Sequence, residues 1–129
     1  LEKTLISKEH NIDKNICVLG FTDKMNDLLS AVDILVSKPG GLTTTESLLK
    51  EVPMIVPYFI PGQEEENLDF LSNCGASLRT SKKYTLSIIL KVLIDNPDRI
   101  EMTKENIRSI KKLNASQDIA KLAFDILSE

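Results

Sequence analysis

The chain has 129 residues, of which 42% are hydrophobic and 27% are charged, which is ordinary for a single soluble globular domain with one core. Nineteen acidic and sixteen basic residues give a formal net charge of -3. The chain therefore lacks the broad positive field that binding of nucleic acid or of anionic lipid would need, and no nucleic-acid partner is expected.

Short apolar runs recur along the first part of the chain and predict strands. They are Ile16–Leu19, Ile34–Val36, Met54–Val56 and Ala76–Leu78. Segments with helical spacing lie between them, for example at Met25, Leu28 and Leu29. Strands that alternate with helices predict an α/β, Rossmann-like parallel sheet with helices on both faces.

Helical spacing replaces the strand pattern after residue 80. Asn96-Pro97 interrupts it and predicts a new helix start, because proline needs no amide partner in the first turn. Two apolar stripes lie on this tail, namely Leu86, Ile89, Leu90 and Leu93, and then Ile119, Leu122, Ala123, Ile126 and Leu127. We expect one domain over residues 1–129, with a core at 12–80 and a helical tail at 81–129.

A turn with two glycines follows the second predicted strand, in "SKPGGLTTTE", residues 37–46. Unpaired amides and the helix dipole place about half a positive charge at a helix start, which favours phosphate. Glycine lets a diphosphate approach the backbone, so Gly40 and Gly41 are candidate ligand residues. Glu46 could accept both hydroxyls of a ribose. The alternative is a plain turn in which Thr43 is the N-cap and Glu46 its capping-box partner.

The stretch "PYFIPGQEEEN", residues 57–67, repeats this arrangement after the third predicted strand. The carboxyl ends of parallel strands share one edge of the sheet, so this turn should lie beside Gly40-Gly41. Glu65 and Glu66 are explained by the helix dipole alone. The side chains that suit sugar hydroxyls are Gln63, Glu64 and Asn67.

A third stretch, "LGFTDKM" at residues 19–25, ends the first predicted strand on the same edge. Phe21 could lie against a flat base, and Met25 begins the helical stripe that Leu28 continues. Both are candidate base-binding residues, and core packing is the alternative for each.

Cysteine content and hydropathy limit the cellular setting. Cys17 and Cys74 belong to no CxxC motif, so reduced thiols in the core are expected rather than zinc ligands or a disulfide. No apolar stretch reaches the roughly 18 residues of a membrane span, and no leader pattern opens the sequence. A cytoplasmic domain is expected.

These three stretches, in this order and at these intervals, resemble the carboxyl-terminal half of GT-B glycosyltransferases of the MurG-like group. "SKPGGLTTTE" with "PGQEEEN" looks most like the processive diacylglycerol glucosyltransferases and the monogalactosyldiacylglycerol synthases. The resemblance covers residues 16–78 with specific motifs and the helical tail in outline. It implies the carboxyl-terminal half of a GT-B fold.

The resemblance also implies a role for each candidate residue in binding a UDP-hexose donor. Backbone at Gly40, Gly41, Leu42 and Thr43 would hold the diphosphate and Glu46 the ribose. Phe21 would face the uracil, beside Met25, and the hexose would meet Gln63, Glu64 and Asn67. The resemblance further implies that no metal or other cofactor is needed, and the absence of an Asp-x-Asp motif fits this.

The general base and the acceptor site of this family lie in an amino-terminal domain that residues 1–129 do not include. No catalytic residue is therefore assigned, and the chain alone is expected to be inactive. The resemblance implies hexose transfer, with inversion, to a diacylglycerol-type lipid, and attachment at the inner face of the membrane only through the absent half.

Other readings of the motifs stay open. The acceptor could instead be a lipid-linked precursor that receives N-acetylglucosamine. The chain could also be the nucleotide-binding subunit of a split transferase, or a non-catalytic nucleotide-sugar sensor. A sugar-nucleotide 2-epimerase shares the fold, but "PGQEEEN" disfavours it.

Overall fold

The structure is a computed structural model and describes residues 16–128. In chain order its elements are α1 (Met25–Ser30), β1 (Leu35–Val36), α2 (Gly41–Leu49), β2 (Met54–Val56), α3 (Glu65–Asn73), β3 (Ser77–Arg79), α4 (Leu86–Asp95), α5 (Pro97–Ile110) and α6 (Ala115–Leu127). The strands form one parallel sheet in the order β1-β2-β3. This confirms the predicted α/β class. The predicted start of the core at residue 12 lies outside the described residues.

Both faces of the sheet are covered because the central strand β2 is apolar at every position. Successive strand residues point to opposite faces, so β2 contributes to two separate clusters. One comprises Met54, Val56, Leu68, Leu71, Ala76 and Ile107. The other comprises Ile55, Ile89 and Leu93. Helices α3 and α5 thus cover one face and α4 the other, as the alternating pattern predicts.

The helical tail is confirmed, but its two predicted stripes behave differently. Helix α4 ends at Asp95 and α5 begins at Pro97, as the Asn96-Pro97 break predicts. Ile89 and Leu93 of the first stripe are buried. Helix α6 forms, yet none of its residues is buried, and Phe124 is 75% exposed. The apolar spacing of α6 gives a helix that nothing in residues 16–128 covers.

The predicted strand at residues 16–19 is wrong. Residues 16–20 form neither helix nor strand, and Ile16 and Leu19 are 59% and 46% exposed. A parallel strand needs a hydrogen-bonded neighbour and cover on both faces. The three strands of the described sheet do not pair with this run. For the same reason Cys17, expected in the core, is exposed, whereas Cys74 is partly buried.

Glu51 fastens the turn between α2 and β2 to α5. Its backbone adopts a φ of 57°, and its carboxylate accepts hydrogen bonds from Arg108 Nε, at 2.7 Å, and from Lys111 Nζ. The hydrogen bond from Lys111, followed by that from Arg108, lowers the pKa of Glu51 below its usual 4.5. These two ion pairs join the end of α5 to the turn that precedes β2.

Replacing Glu51 with glutamine should weaken the dependence of stability on pH. A carboxyl group with a lowered folded-state pKa stabilises the fold fully above its unfolded value, about 4.5, and loses this contribution as the pH falls through the folded value. Between about pH 6 and pH 3, the melting temperature of wild-type protein should therefore fall further than that of Glu51→Gln. Thermal unfolding of the full-length protein at a series of pH values measures this. An equal effect of Glu66→Gln, an exposed glutamate on α3, would contradict it.

Candidate functional site

The two glycine-containing loops meet at one edge of the sheet. β1 ends at Val36 and β2 at Val56, and the strands are parallel neighbours with Val36 opposite Ile55. The loops that follow them, residues 37–40 and 57–64, therefore leave the sheet in the same direction. Ligands of open parallel sheets bind at this edge.

Helix α2 begins without a side-chain cap. Its N-cap is Gly40, with a φ of -64° and a ψ of 149°, and no side-chain hydrogen bond caps it. The first intrahelical bond runs from the Thr44 N–H to the Gly40 carbonyl, at 2.8 Å. The amides of Gly41, Leu42 and Thr43 precede it and have no partner within the helix.

The capping-box alternative for this helix is wrong. The backbone becomes helical at Gly41, so Thr43 is the third helical residue and not the N-cap. Glu46 is exposed one turn further along α2. Its carboxylate is therefore free to meet a ligand at the helix start.

The glycines at the helix start are not required by backbone conformation. Neither Gly40 nor Gly41 is among the residues with positive φ. A Cβ on Gly41 would meet no atom within 4 Å, whereas a Cβ on Gly40 would lie 3.6 Å from Glu64 Oε1. Open space thus lies in front of Gly41, at the point where a diphosphate is predicted to approach.

Glu64 of the second loop and Asn67 of α3 both bind the first loop. Glu64 is only 6% exposed. Its Oε1 accepts a hydrogen bond from Lys38 Nζ at 3.1 Å, and its Oε2 accepts one from the Ile60 N–H at 2.9 Å. Asn67 Nδ2 donates to the Pro39 carbonyl at 2.9 Å. The Ile60 N–H, more than Lys38, lowers the pKa of Glu64, so the carboxylate is charged at neutral pH.

Most of the other polar residues between 63 and 67 face solvent. Gln63 is exposed, and so are Glu65 and Glu66, while Asn67 is partly buried.

Lys38 is a residue of the site that the sequence pattern did not predict, although it lies in the motif "SKPGGLTTTE". The pattern that could have indicated it is a single lysine in the first turn, which was predicted to lie beside the acidic residues of the second stretch.

The candidate base-binding residues lie on or before α1. Phe21 is fully exposed and Met25, the first residue of α1, is 47% exposed. Core packing, the alternative for both, is therefore not seen in the described residues. Helix α1 packs against α2. A role in binding a base stays a prediction for Phe21 and Met25.

Residues 16–128 contain neither a membrane-spanning helix nor a cluster of potential metal ligands. None of their helices combines the length and apolar character needed to cross a membrane. Within the same range, no three His, Cys, Asp or Glu side chains cluster in a way that could hold a metal ion.

Comparison with known sequences gives a family match. Residues 2–123 match the glycosyltransferase family 28 C-terminal domain. The chain is 30% identical over 129 residues to a processive diacylglycerol beta-glucosyltransferase of Bacillus subtilis, covering 100% of the chain and 33% of that protein. It is 35% identical over 130 residues to monogalactosyldiacylglycerol synthase 2, chloroplastic, of Arabidopsis thaliana, covering 98% and 28%.

A third relative has a different acceptor in its name. It is a UDP-N-acetylglucosamine--N-acetylmuramyl-(pentapeptide) pyrophosphoryl-undecaprenol N-acetylglucosamine transferase of Thermoanaerobacter, 30% identical over 126 residues, covering 90% of the chain and 34% of that protein. The chain thus spans about a third of the length of the curated relatives it matches.

Proposed function

Since the chain belongs to the glycosyltransferase family 28 C-terminal domain family, we propose that it binds the nucleotide-sugar donor, a UDP-hexose, of an inverting glycosyltransferase. The observation that carries this proposal is the uncapped start of α2, which faces open space at the ligand-binding edge of the sheet. The amides of Gly41, Leu42 and Thr43, after the N-cap Gly40, would hold the diphosphate, and Glu46 the ribose.

The start of α2 would also contribute to the reaction. During transfer the acceptor hydroxyl oxygen would bond to the anomeric carbon, its proton would pass to a base outside residues 1–129, and the bond from that carbon to a diphosphate oxygen would break, so that the electron pair leaves with UDP. Charge therefore builds up on the diphosphate, where aligned amides and the helix dipole stabilise it. Such groups lower the barrier when they bind the leaving group more strongly in the transition state than in the donor. Because backbone groups supply this stabilisation, we propose that donor binding requires no divalent cation.

The hexose would lie against the turn before α3. Gln63 is exposed there and can act as donor and acceptor. Asn67 uses Nδ2 for the Pro39 carbonyl, which leaves its Oδ1 for a hydroxyl. A carboxylate has about four acceptor positions, so Glu64 can accept a hydroxyl beside its two protein partners. For the uracil we propose Phe21 and Met25.

For the acceptor we propose a diacylglycerol-type lipid. The relatives from Bacillus subtilis and Arabidopsis thaliana carry diacylglycerol in their names. The full-length protein would then act at the cytoplasmic face of a membrane, with the lipid bound by residues outside this chain. The Thermoanaerobacter relative supports a second candidate, transfer of N-acetylglucosamine to a lipid-linked precursor.

Nucleotide selectivity tests the proposed donor. A ligand that binds only the native state stabilises it by about 2.7 kcal/mol at a hundred times its Kd. UDP should therefore raise the melting temperature of the full-length protein, and ADP and GDP at the same concentration should raise it less. EDTA should leave the UDP effect unchanged. Equal shifts by the three nucleotides would indicate a general phosphate site and contradict the proposal.

A further inference from the structure

Two hydrogen bonds join the first loop of the candidate site to the second loop and to the start of α3. The Lys38 ammonium lies 3.1 Å from Glu64 Oε1, and the Asn67 amide donates to the Pro39 carbonyl. Glu64 Oε1 also lies 3.6 Å from the position of a Cβ on Gly40. The carboxylate therefore sits directly beside the N-cap of α2, although it belongs to the loop after β2.

Glu64 in turn determines the shape of that second loop. Its Oε2 accepts the Ile60 N–H, while the Ile60 carbonyl accepts the N–H groups of Gln63 and Glu64 at 3.2 and 2.9 Å. The turn at residues 60–64 is thus closed on both sides of Ile60. Gln63, the exposed polar residue of this turn, has its backbone fixed by the same bonds.

Lys38 supplies the positive charge that this arrangement requires. A carboxylate on a side chain that is only 8% exposed is costly to bury without a charged partner. The Lys38 side chain is 38% exposed and reaches Glu64 from three residues before Gly41. It also offsets a negative charge that would otherwise face the diphosphate. One side chain therefore links the proposed diphosphate site to the proposed hexose site.

We propose that Lys38 is a positioning residue for the donor hexose, which acts by holding Glu64 and hence the turn at residues 60–64 against the start of α2. This inference rests on the proposed function. It concerns the affinity for the hexose part of the donor. The amides at the start of α2 remain in place without Lys38, so binding of UDP itself should change little.

Titration calorimetry on the full-length protein tests this role. The probes are UDP and whichever of UDP-glucose, UDP-galactose and UDP-N-acetylglucosamine wild-type protein binds best. Lys38→Met should weaken binding of that UDP-hexose by at least about tenfold and binding of UDP by less than about threefold. Lys38→Arg, which keeps the charge, should restore most of the loss. Lys91→Met removes a lysine paired with Asp95 on α4 and should change neither affinity.

A double variant distinguishes action through Glu64 from a general effect. If Lys38 acts through Glu64, Lys38→Met combined with Glu64→Gln should bind the UDP-hexose no more weakly than the weaker single variant. Additive losses, or equal losses for UDP and UDP-hexose in Lys38→Met, would overturn the Lys38 role and leave the proposed function standing. Wild-type protein that binds neither ligand would overturn both.

Discussion

Replacing Glu46 with alanine is expected to remove most of the stabilisation that UDP gives to the full-length protein. The Glu46 carboxylate is exposed one turn from the uncapped start of α2, where it can accept two ribose hydroxyls. A hydrogen bond to a charged group contributes about 1.5 to 3 kcal/mol, so UDP should bind about ten- to a hundredfold more weakly. Thermal unfolding with and without UDP measures the effect.

Two controls make this result specific to the ribose. Glu65→Ala removes another exposed carboxylate from the first turn of a helix at the same edge and should leave UDP binding nearly unchanged. 2′-Deoxy-UDP, which lacks one hydroxyl, should bind wild-type protein more weakly than UDP does, and Glu46→Ala should bind the two nucleotides equally. A Glu46→Ala protein that still prefers UDP would show that the ribose is held elsewhere.

Replacing Gly41 with valine should have the second large effect, a loss of UDP affinity without a loss of stability. A hydrogen bond brings a phosphate oxygen to about 2.9 Å from an amide nitrogen, and a branched side chain at Gly41 would occupy that space. The protein itself leaves the position empty within 4 Å of a Cβ, and Gly41 does not adopt a positive φ. UDP binding should therefore weaken by at least about tenfold, as measured by calorimetry.

A graded series separates the steric effect from misfolding. Gly41→Ala should weaken UDP binding less than Gly41→Val does. Without ligand it should also be more stable than wild-type protein by up to about 1 kcal/mol, because alanine favours a helix more than glycine does. Unchanged UDP affinity in Gly41→Val would place the diphosphate elsewhere. A lower melting temperature of unliganded Gly41→Ala would mean that the fold itself requires glycine.

The strands could be predicted from sequence where their neighbours are present. Met54–Val56 was predicted with the observed bounds because the central strand of a covered sheet must be apolar on both faces. The run Ile16–Leu19 is also apolar, but the strand predicted there does not form. An apolar pattern shows that a segment could be buried as a strand, and it does not show whether a partner strand lies beside it. The same limit explains α6, whose spacing predicted a helix but could not show what covers it.

The candidate site could likewise be predicted from the sequence only in part. The start of α2 at the sheet edge follows from local pattern, but its exact register does not, because Gly40 and Thr43 are both acceptable N-cap residues. The partnership of Lys38 with Glu64 spans 26 positions in sequence. It depends on the pairing of β1 with β2, and no local pattern encodes it. The sequence therefore predicted the edge and the loops, but not the contacts that join them.

The register of β1 against β2 determines where the loops that follow the two strands lie relative to each other. Leu35 lies opposite Met54 and Val36 opposite Ile55, so the two strands reach the edge of the candidate site together. An added residue just beyond either strand would lengthen one of these loops and shift it relative to the other, whereas residues added at the opposite edge of the sheet would leave both loops as they are. Over evolution, lengthening near Pro39 or Pro61 would thus change the spacing of the two loops of the candidate site, and lengthening around Pro53 would not.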